Sequence, residues 1–140
     1  MLDMGVAAKS LRAVLAINDS GLLLAQDDVG TWWIQGSADG LIYTAGDRLA
    51  WLLPLLERTP TDVRVALSGL PLVDTPLPAL VRFALRAWGE HWPELALDWL
   101  ESGWPIQDLL DVLADMKDSS TLSLPRRRRA LRLWRAATQT

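Results

Sequence analysis

Residues 11–44 read "LRAVLAINDSGLLLAQDDVGTWWIQGSADGLIYT", and the fold class turns on this stretch. Four short apolar or β-branched runs occupy residues 11–17, 22–26, 31–35 and 41–44. Three polar clusters separate them: Asn18-Asp19-Ser20-Gly21, Asp27-Asp28-Val29-Gly30 and Gly36-Ser37-Ala38-Asp39-Gly40. Asn, Asp and Gly reverse the chain, because Gly reaches positive φ and Asx side chains bond nearby backbone. Asp27, Asp28 and Asp39 are read as such turn residues. Strand-and-turn units of about 8–12 residues favour pairing of consecutive strands. The stretch therefore predicts a four-stranded antiparallel meander. Within residues 31–35, Trp32 and Trp33 point to opposite faces of their strand. One indole is expected in the core; the other faces outward, where a helix covers it or a partner contacts it.

Downstream the pattern changes. In residues 46–57, "GDRLAWLLPLLE", Leu49, Leu52, Leu53 and Leu56 recur at helical spacing. Asp47 is the expected N-cap, and Pro54 kinks this helix or splits it after Leu53. In residues 61–69, "TDVRVALSG", Val63, Val65 and Leu67 alternate with Arg64 and Ala66, which predicts a fifth strand. A Pro-rich connector, "LPLVDTPLP", places an organisational boundary near residue 75. Beyond it helices are predicted over residues 78–90, 93–101, 105–117 and 125–137. Each opens with Pro, whose missing N–H is harmless in a first helical turn. On the third, Ile106, Leu109, Leu110, Leu113 and Met116 form an apolar face opposite Asp108, Asp111 and Asp115. The expected protein is α+β: an N-terminal antiparallel β-meander with one helix, packed on a C-terminal four-helix segment. It is read as a single domain over 1–140, β-rich to residue 75 and helical from 76.

The heptapeptides "RFALRAW" (residues 82–88) and "RRALRLW" (residues 128–134) share Arg, Ala, Leu, Arg and Trp at an offset of 46. On these residues the segment 78–137 resembles a HEAT-like helical repeat pair. The resemblance implies stacked helix pairs, with the N-terminal sheet capping the stack.

Composition narrows the chemistry. The 140 residues contain eight Trp, one Phe, one Tyr and no Cys. Disulfides, thiolate metal sites and cysteine nucleophiles are thereby excluded. Such a chain suits a reducing cytoplasm. The N-terminal residues lack the basic lead and apolar run of a signal peptide, and no apolar run nears the ~20 residues that span a bilayer. Twelve Arg against two Lys, with abundant Leu and Ala, suggest a bacterial chain from a GC-rich genome.

Charge is unevenly placed. Residues 90–118 carry eight acids against one Lys, and residues 123–140 carry six Arg and no acid, in a chain of net charge −3. Arg126, Arg127, Arg128 and Arg129 are consecutive, so helix geometry spreads them around the axis. Cations in a first helical turn oppose the macrodipole, and the expected compensation is internal. Glu94, Asp98 and Glu101, with Asp108, Asp111, Asp115 and Asp118, are the candidate carboxylates. The alternative is a phosphate-reading surface of Arg126–129, Arg132 and Arg135, in which Arg128 and Arg132 align at i, i+4.

No catalytic set assembles. His91 is the sole histidine and reads as a helix-end residue; Ser20, Ser37 and Ser68 lie in turns without a nucleophile-elbow setting. There is no phosphate loop, dinucleotide fingerprint or H-E-x-x-H. No metal or cofactor site is expected, and the three aspartates of the third helix read as a solvated face. Trp88, Trp92, Trp99 and Trp104 fall within seventeen residues and are expected mainly in the helical core. Trp104, in "SGWP", joins Trp32 or Trp33 as an exposed candidate. The expected function is therefore a non-catalytic protein-binding module, of adaptor, inhibitor or immunity type. Trp32, Trp33, Trp104, Asp108, Asp111 and Asp115 would contact another protein, possibly basic, with nucleic-acid binding through the arginines as the alternative.

Overall fold

The computed structural model describes residues 6–7, 11–36, 41–67 and 70–139. Most of the third turn cluster (Ser37 to Gly40) and Ser68 lie outside the described residues. The chain divides into two compact units, Met1–Leu80 and Val81–Thr140.

In the first unit five antiparallel strands form one sheet: β1 (Val6–Ala7), β2 (Arg12–Ala16), β3 (Leu23–Gln26), β4 (Trp32–Gln35) and β5 (Leu41–Thr44). Their order is β1-β5-β4-β3-β2, so the last four make the expected meander. The turns use the expected chemistry. Asn18 Oδ1 accepts from the Ser20 and Leu22 amides at 2.9 and 3.3 Å, and Asp27 Oδ1 accepts from those of Val29 and Thr31 at 3.1 and 2.8 Å. Gly21 and Gly30 supply the positive φ that closes each turn. Register places Trp33 opposite Ala25 on β3 and Thr44 on β5, pairing a large side chain with small ones.

The fifth strand is β1, paired with β5. The segment predicted as a strand from residue 61 instead lies in α2 (Pro60–Ala66). Val63 and Leu67 are i, i+4 neighbours and also share a parity, so two-fold and helical readings put them together equally well. Both are buried, whereas Val65 is 68% exposed. Local capping decides the outcome. Thr59 Oγ1 accepts from the Asp62 amide at 3.1 Å, Pro60 takes the first helical position, and Asp62 complements the dipole.

Pro54 does interrupt the preceding helix: α1 (Leu49–Leu52) is followed by a 3₁₀ segment, Leu53–Glu57. Asp47 is not its cap. Arg48 occupies that position, and Asp47 Oδ2 instead accepts from Thr44 Oγ1 at 2.7 Å.

In the second unit the helical predictions hold with shifted ends. The last five residues of α3 (Leu77–Leu85) belong here, followed by α4 (His91–Glu101), a 3₁₀ turn (Gln107–Leu109) leading into α5 (Leu110–Lys117), and α6 (Leu124–Thr138). Ser123 caps α6, its Oγ accepting from the Arg126 amide at 3.4 Å, with Pro125 in the first turn. Helix α6 packs against α4 and α5 around Leu97, Trp99, Val112, Leu113, Met116 and Ala130. Lys117 Nζ lies 4.7 Å from the Trp134 ring centroid, a cation–π contact that joins α5 to α6.

The two echoing heptapeptides differ in structure. Residues 128–134 lie wholly inside α6, whereas α3 ends at Leu85 and residues 86–88 form a turn. Trp134 is half-buried beneath Lys117; Trp88 is 98% exposed.

Candidate binding cleft

The tryptophans expected at the surface are inside. Trp32 and Trp33 are both buried, on opposite faces of β4, so the central strands are covered on both sides. Each indole N–H has its own acceptor: Trp32 Nε1 donates to the Asp74 carbonyl at 2.8 Å, and Trp33 Nε1 to Asp27 Oδ2 at 3.0 Å. A buried indole is stable only when that donor is met. Asp27 therefore has two duties, shaping its hairpin and anchoring the indole.

Trp104 is 4% exposed, for a reason that lies in "SGWP". Ser102 ends α4, and Gly103 follows with φ +104°. The Gly103 amide donates to Leu100 O at 3.2 Å and the Trp104 amide to Trp99 O at 3.2 Å. This is a Schellman motif, in which the residue after the glycine folds back onto the last turn. The Trp99 and Trp104 ring centroids are 4.9 Å apart. The glycine one residue past the helix was the signal in the sequence.

The acidic face of α5 is likewise engaged. Arg82 Nη1 and Nη2 grip Asp111 Oδ2 and Oδ1 at 2.8 and 3.1 Å, and Nη2 also donates to the Asp108 carbonyl. Arg86 stands 3.8 Å from Asp111 and from Asp115. The bidentate bond from Arg82 lowers the Asp111 pKa to about 2. Asp111 and Asp115 thus face the guanidinium groups of Arg82 and Arg86 while remaining 59% and 79% exposed, and Asp108, also exposed, meets Arg82 only through its backbone carbonyl. Asp118 pairs with Lys117 at 2.9 Å.

The arginine run divides by helical position. Arg129 is held by three carboxylates one turn apart on α4: Glu94 at 3.0 Å, Asp98 at 2.5 Å and Glu101 at 2.8 Å. Its hydrogen bonds with Glu101 raise the Arg129 pKa and lower that of Glu101. A guanidinium occupies the place a cation would take among these acids. Among the described residues, no group of three or more His, Asp or Glu is arranged to hold a metal ion. Arg126, one turn earlier, is buried beside Glu94. Arg128, Arg132 and Arg135 are exposed and form no ion pair among the described residues. His91 begins α4, its ring 4.5 Å from that of Trp92, and Ser20 sits in its turn.

The residue that sequence reasoning missed is Trp88. Gly89, at φ +86°, turns the chain between α3 and α4 and leaves the indole standing in solvent. Beside it opens a cleft of about 650 Å³, within the usual range of roughly 300–1,000 Å³ for ligand sites. Leu85, Pro93, Val112, Met116 and Leu122 give it apolar walls. Ser119, Thr121 and Ser123 rim it, and Arg126 lines it together with Arg86, Glu90 and Asp115.

No family model, no curated protein and no solved structure matches this chain. Among the described residues no helix is long and apolar enough to cross a membrane.

Proposed function

We propose that the chain is a non-catalytic protein-binding module whose contact surface is the Trp88 cleft of the helical unit. The observation that carries this reading is one side chain. Trp88 is 98% exposed beside an apolar cleft, while Trp92 is half-buried and Trp99 and Trp104 are buried. A fully solvated indole covers no apolar area of its own protein, and Trp is the residue type most enriched at binding hot spots. Compared with the sequence expectation, the sticky surface moves from Trp32, Trp33 and Trp104 to Trp88, and Asp115 remains at its edge. The cytoplasmic setting expected of a cysteine-free chain belongs to this proposal. The test is a photo-crosslinking residue placed at position 88 in the native cell, with exposed Val29 as the control position. A partner captured only at position 88, bound by the purified protein and lost in Trp88→Ala, supports the reading. Equal capture at both positions, or full binding by Trp88→Ala, removes it.

A second reading rests on Arg128, Arg132 and Arg135, which stay exposed while Arg129 is held by the α4 carboxylates. Three phosphate contacts would give duplex DNA affinity a log–log salt slope of roughly −2.7, at about −0.9 per contact. Replacing all three with Gln tests it: the slope should vanish with the fold unchanged.

A further inference from the structure

Trp88 and the cleft beside it have the properties of a knob and a socket. The indole is 98% exposed, so it makes almost no contact with its own chain, and Gly89 at φ +86° holds the turn that carries it outward. The cleft of about 650 Å³ is walled by Leu85, Pro93, Val112, Met116 and Leu122, the kind of surface that receives an aromatic anchor. An indole taken out of water needs an acceptor for its N–H. The rim supplies one. The Ser119 and Thr121 hydroxyls lie 2.8 Å apart, one donating to the other, and lone pairs remain on both oxygens.

Charge around the cleft is mixed. Arg86 and Arg126 line it together with Glu90 and Asp115, so the signs cancel and neither a basic nor an acidic partner is favoured. Arg86 and Glu90 stand two residues before and two residues after Trp88. Glu90 is exposed and forms no ion pair among the described residues. Arg86 is 54% exposed, and its nearest carboxylates are 3.8 Å away. A surface that carries a projecting side chain, a socket and both halves of an ion pair is self-complementary, as a two-fold contact between identical chains requires.

We infer that a second copy of this chain covers the cleft: Trp88 of each copy enters the cleft of the other across a two-fold axis, and Arg86 of each meets Glu90 of the other. This rests on the protein-binding reading and names its partner. An aromatic side chain buries about 150–250 Å², so two indoles and the walls that receive them account for roughly 600–1,000 Å². Standard interfaces begin near ~1,200 Å². The dimer is therefore weak and forms as concentration rises.

Sedimentation equilibrium of the full chain from about 1 μM to about 1 mM covers the range in which so small a contact dissociates. The unaltered protein should pass from monomer to dimer, and Trp88→Ala should lower the association constant at least ~10-fold. Arg86→Glu and Glu90→Arg should each weaken association, because like charges then face each other across the axis. An equimolar mixture of these two variants should dimerise again. If a variant does not fold, the unaltered protein decides. In a sample of mixed isotope-labelled and unlabelled copies, NMR should show the Trp88 ring of one copy against the Met116 methyl of the other. A monomer at every concentration, a dimer that survives Trp88→Ala, a mixture that stays monomeric, or a Trp88–Met116 contact confined to one chain overturns the inference. A different protein captured at position 88 by a chain that remains monomeric sinks this inference alone. No capture of any chain at position 88, a second copy included, sinks the protein-binding reading with it.

Discussion

Arg129 and Glu101 form a two-pronged ion pair: Nε donates to Oε2 at 3.0 Å and Nη2 to Oε1 at 2.8 Å. The fork geometry is the strongest that a guanidinium and a carboxylate adopt, and it ties α6 to the end of α4. It also separates a structural arginine from its neighbour Arg128, which lies exposed on another side of the helix.

Arg129→Gln should therefore destabilise the helical unit, and Arg128→Gln should not. The Arg129 side chain is 16% exposed but its acids are 38–59% exposed, so solvent screening reduces the value of each pair. Glu94, Asp98 and Glu101 would then repel one another. A loss of about 1–2 kcal/mol is expected, against less than about 0.5 kcal/mol at Arg128. Urea unfolding of the two variants measures the difference.

The same pairs predict how stability depends on pH. Hydrogen bonds from Arg82 and Arg129 lower the pKa values of Asp111 and Glu101. A carboxyl with a depressed folded pKa stabilises the fold above its unfolded pKa and loses that contribution as pH falls through the folded one. For Asp111 the window runs from 3.8 down to about 2. Asp111→Asn should flatten the stability profile across this interval. High salt should do so in part, because the pair is exposed. Unfolding at a series of pH values, with carboxyl NMR titration, checks both.

Trp33→Phe would leave one oxygen of Asp27 without its 3.0 Å indole donor. About 1–1.5 kcal/mol should be lost beyond the change in packing. Since Asp27 also orders its hairpin, a double-mutant cycle with Asp27→Asn should show coupling rather than additivity.

The indoles of the helical unit should separate by burial. Trp104→Ala removes a ring packed on Trp99 and should cost about 3–5 kcal/mol. Trp88→Ala should leave the melting temperature within about 2 °C, because a surface change is worth less than about 0.5 kcal/mol. An equal loss in both variants would show that Trp88 is part of the core.

In α2, Thr59→Ala should cost about 1 kcal/mol through loss of the cap. Val63→Lys should prevent folding of the first unit, and Val65→Lys should be tolerated. Circular dichroism and chemical denaturation distinguish these outcomes from those of a strand, in which Val63 and Val65 would share one face and respond alike.

Local physics was legible in the chain itself. Turn residues and two-fold runs gave the meander, and Pro at helix starts together with 3.6-residue spacing gave the four C-terminal helices. The surplus of acid in residues 90–118 also indicated what would neutralise Arg129, but not that Asp111 and Asp115 would pair with Arg82 and Arg86 while Arg128, Arg132 and Arg135 stay exposed. Short signals shared by two periodicities could not be separated: Val63 and Leu67 fit either, and the Thr59 cap, a single hydrogen bond, broke the tie. Tertiary structure alone decided which indoles are covered and which carboxylate meets which arginine. An indole or guanidinium is the same group anywhere in the sequence; its role depends on what reaches its N–H donors. That is why Trp33 and Arg129 have partners, while the Trp88 indole faces water.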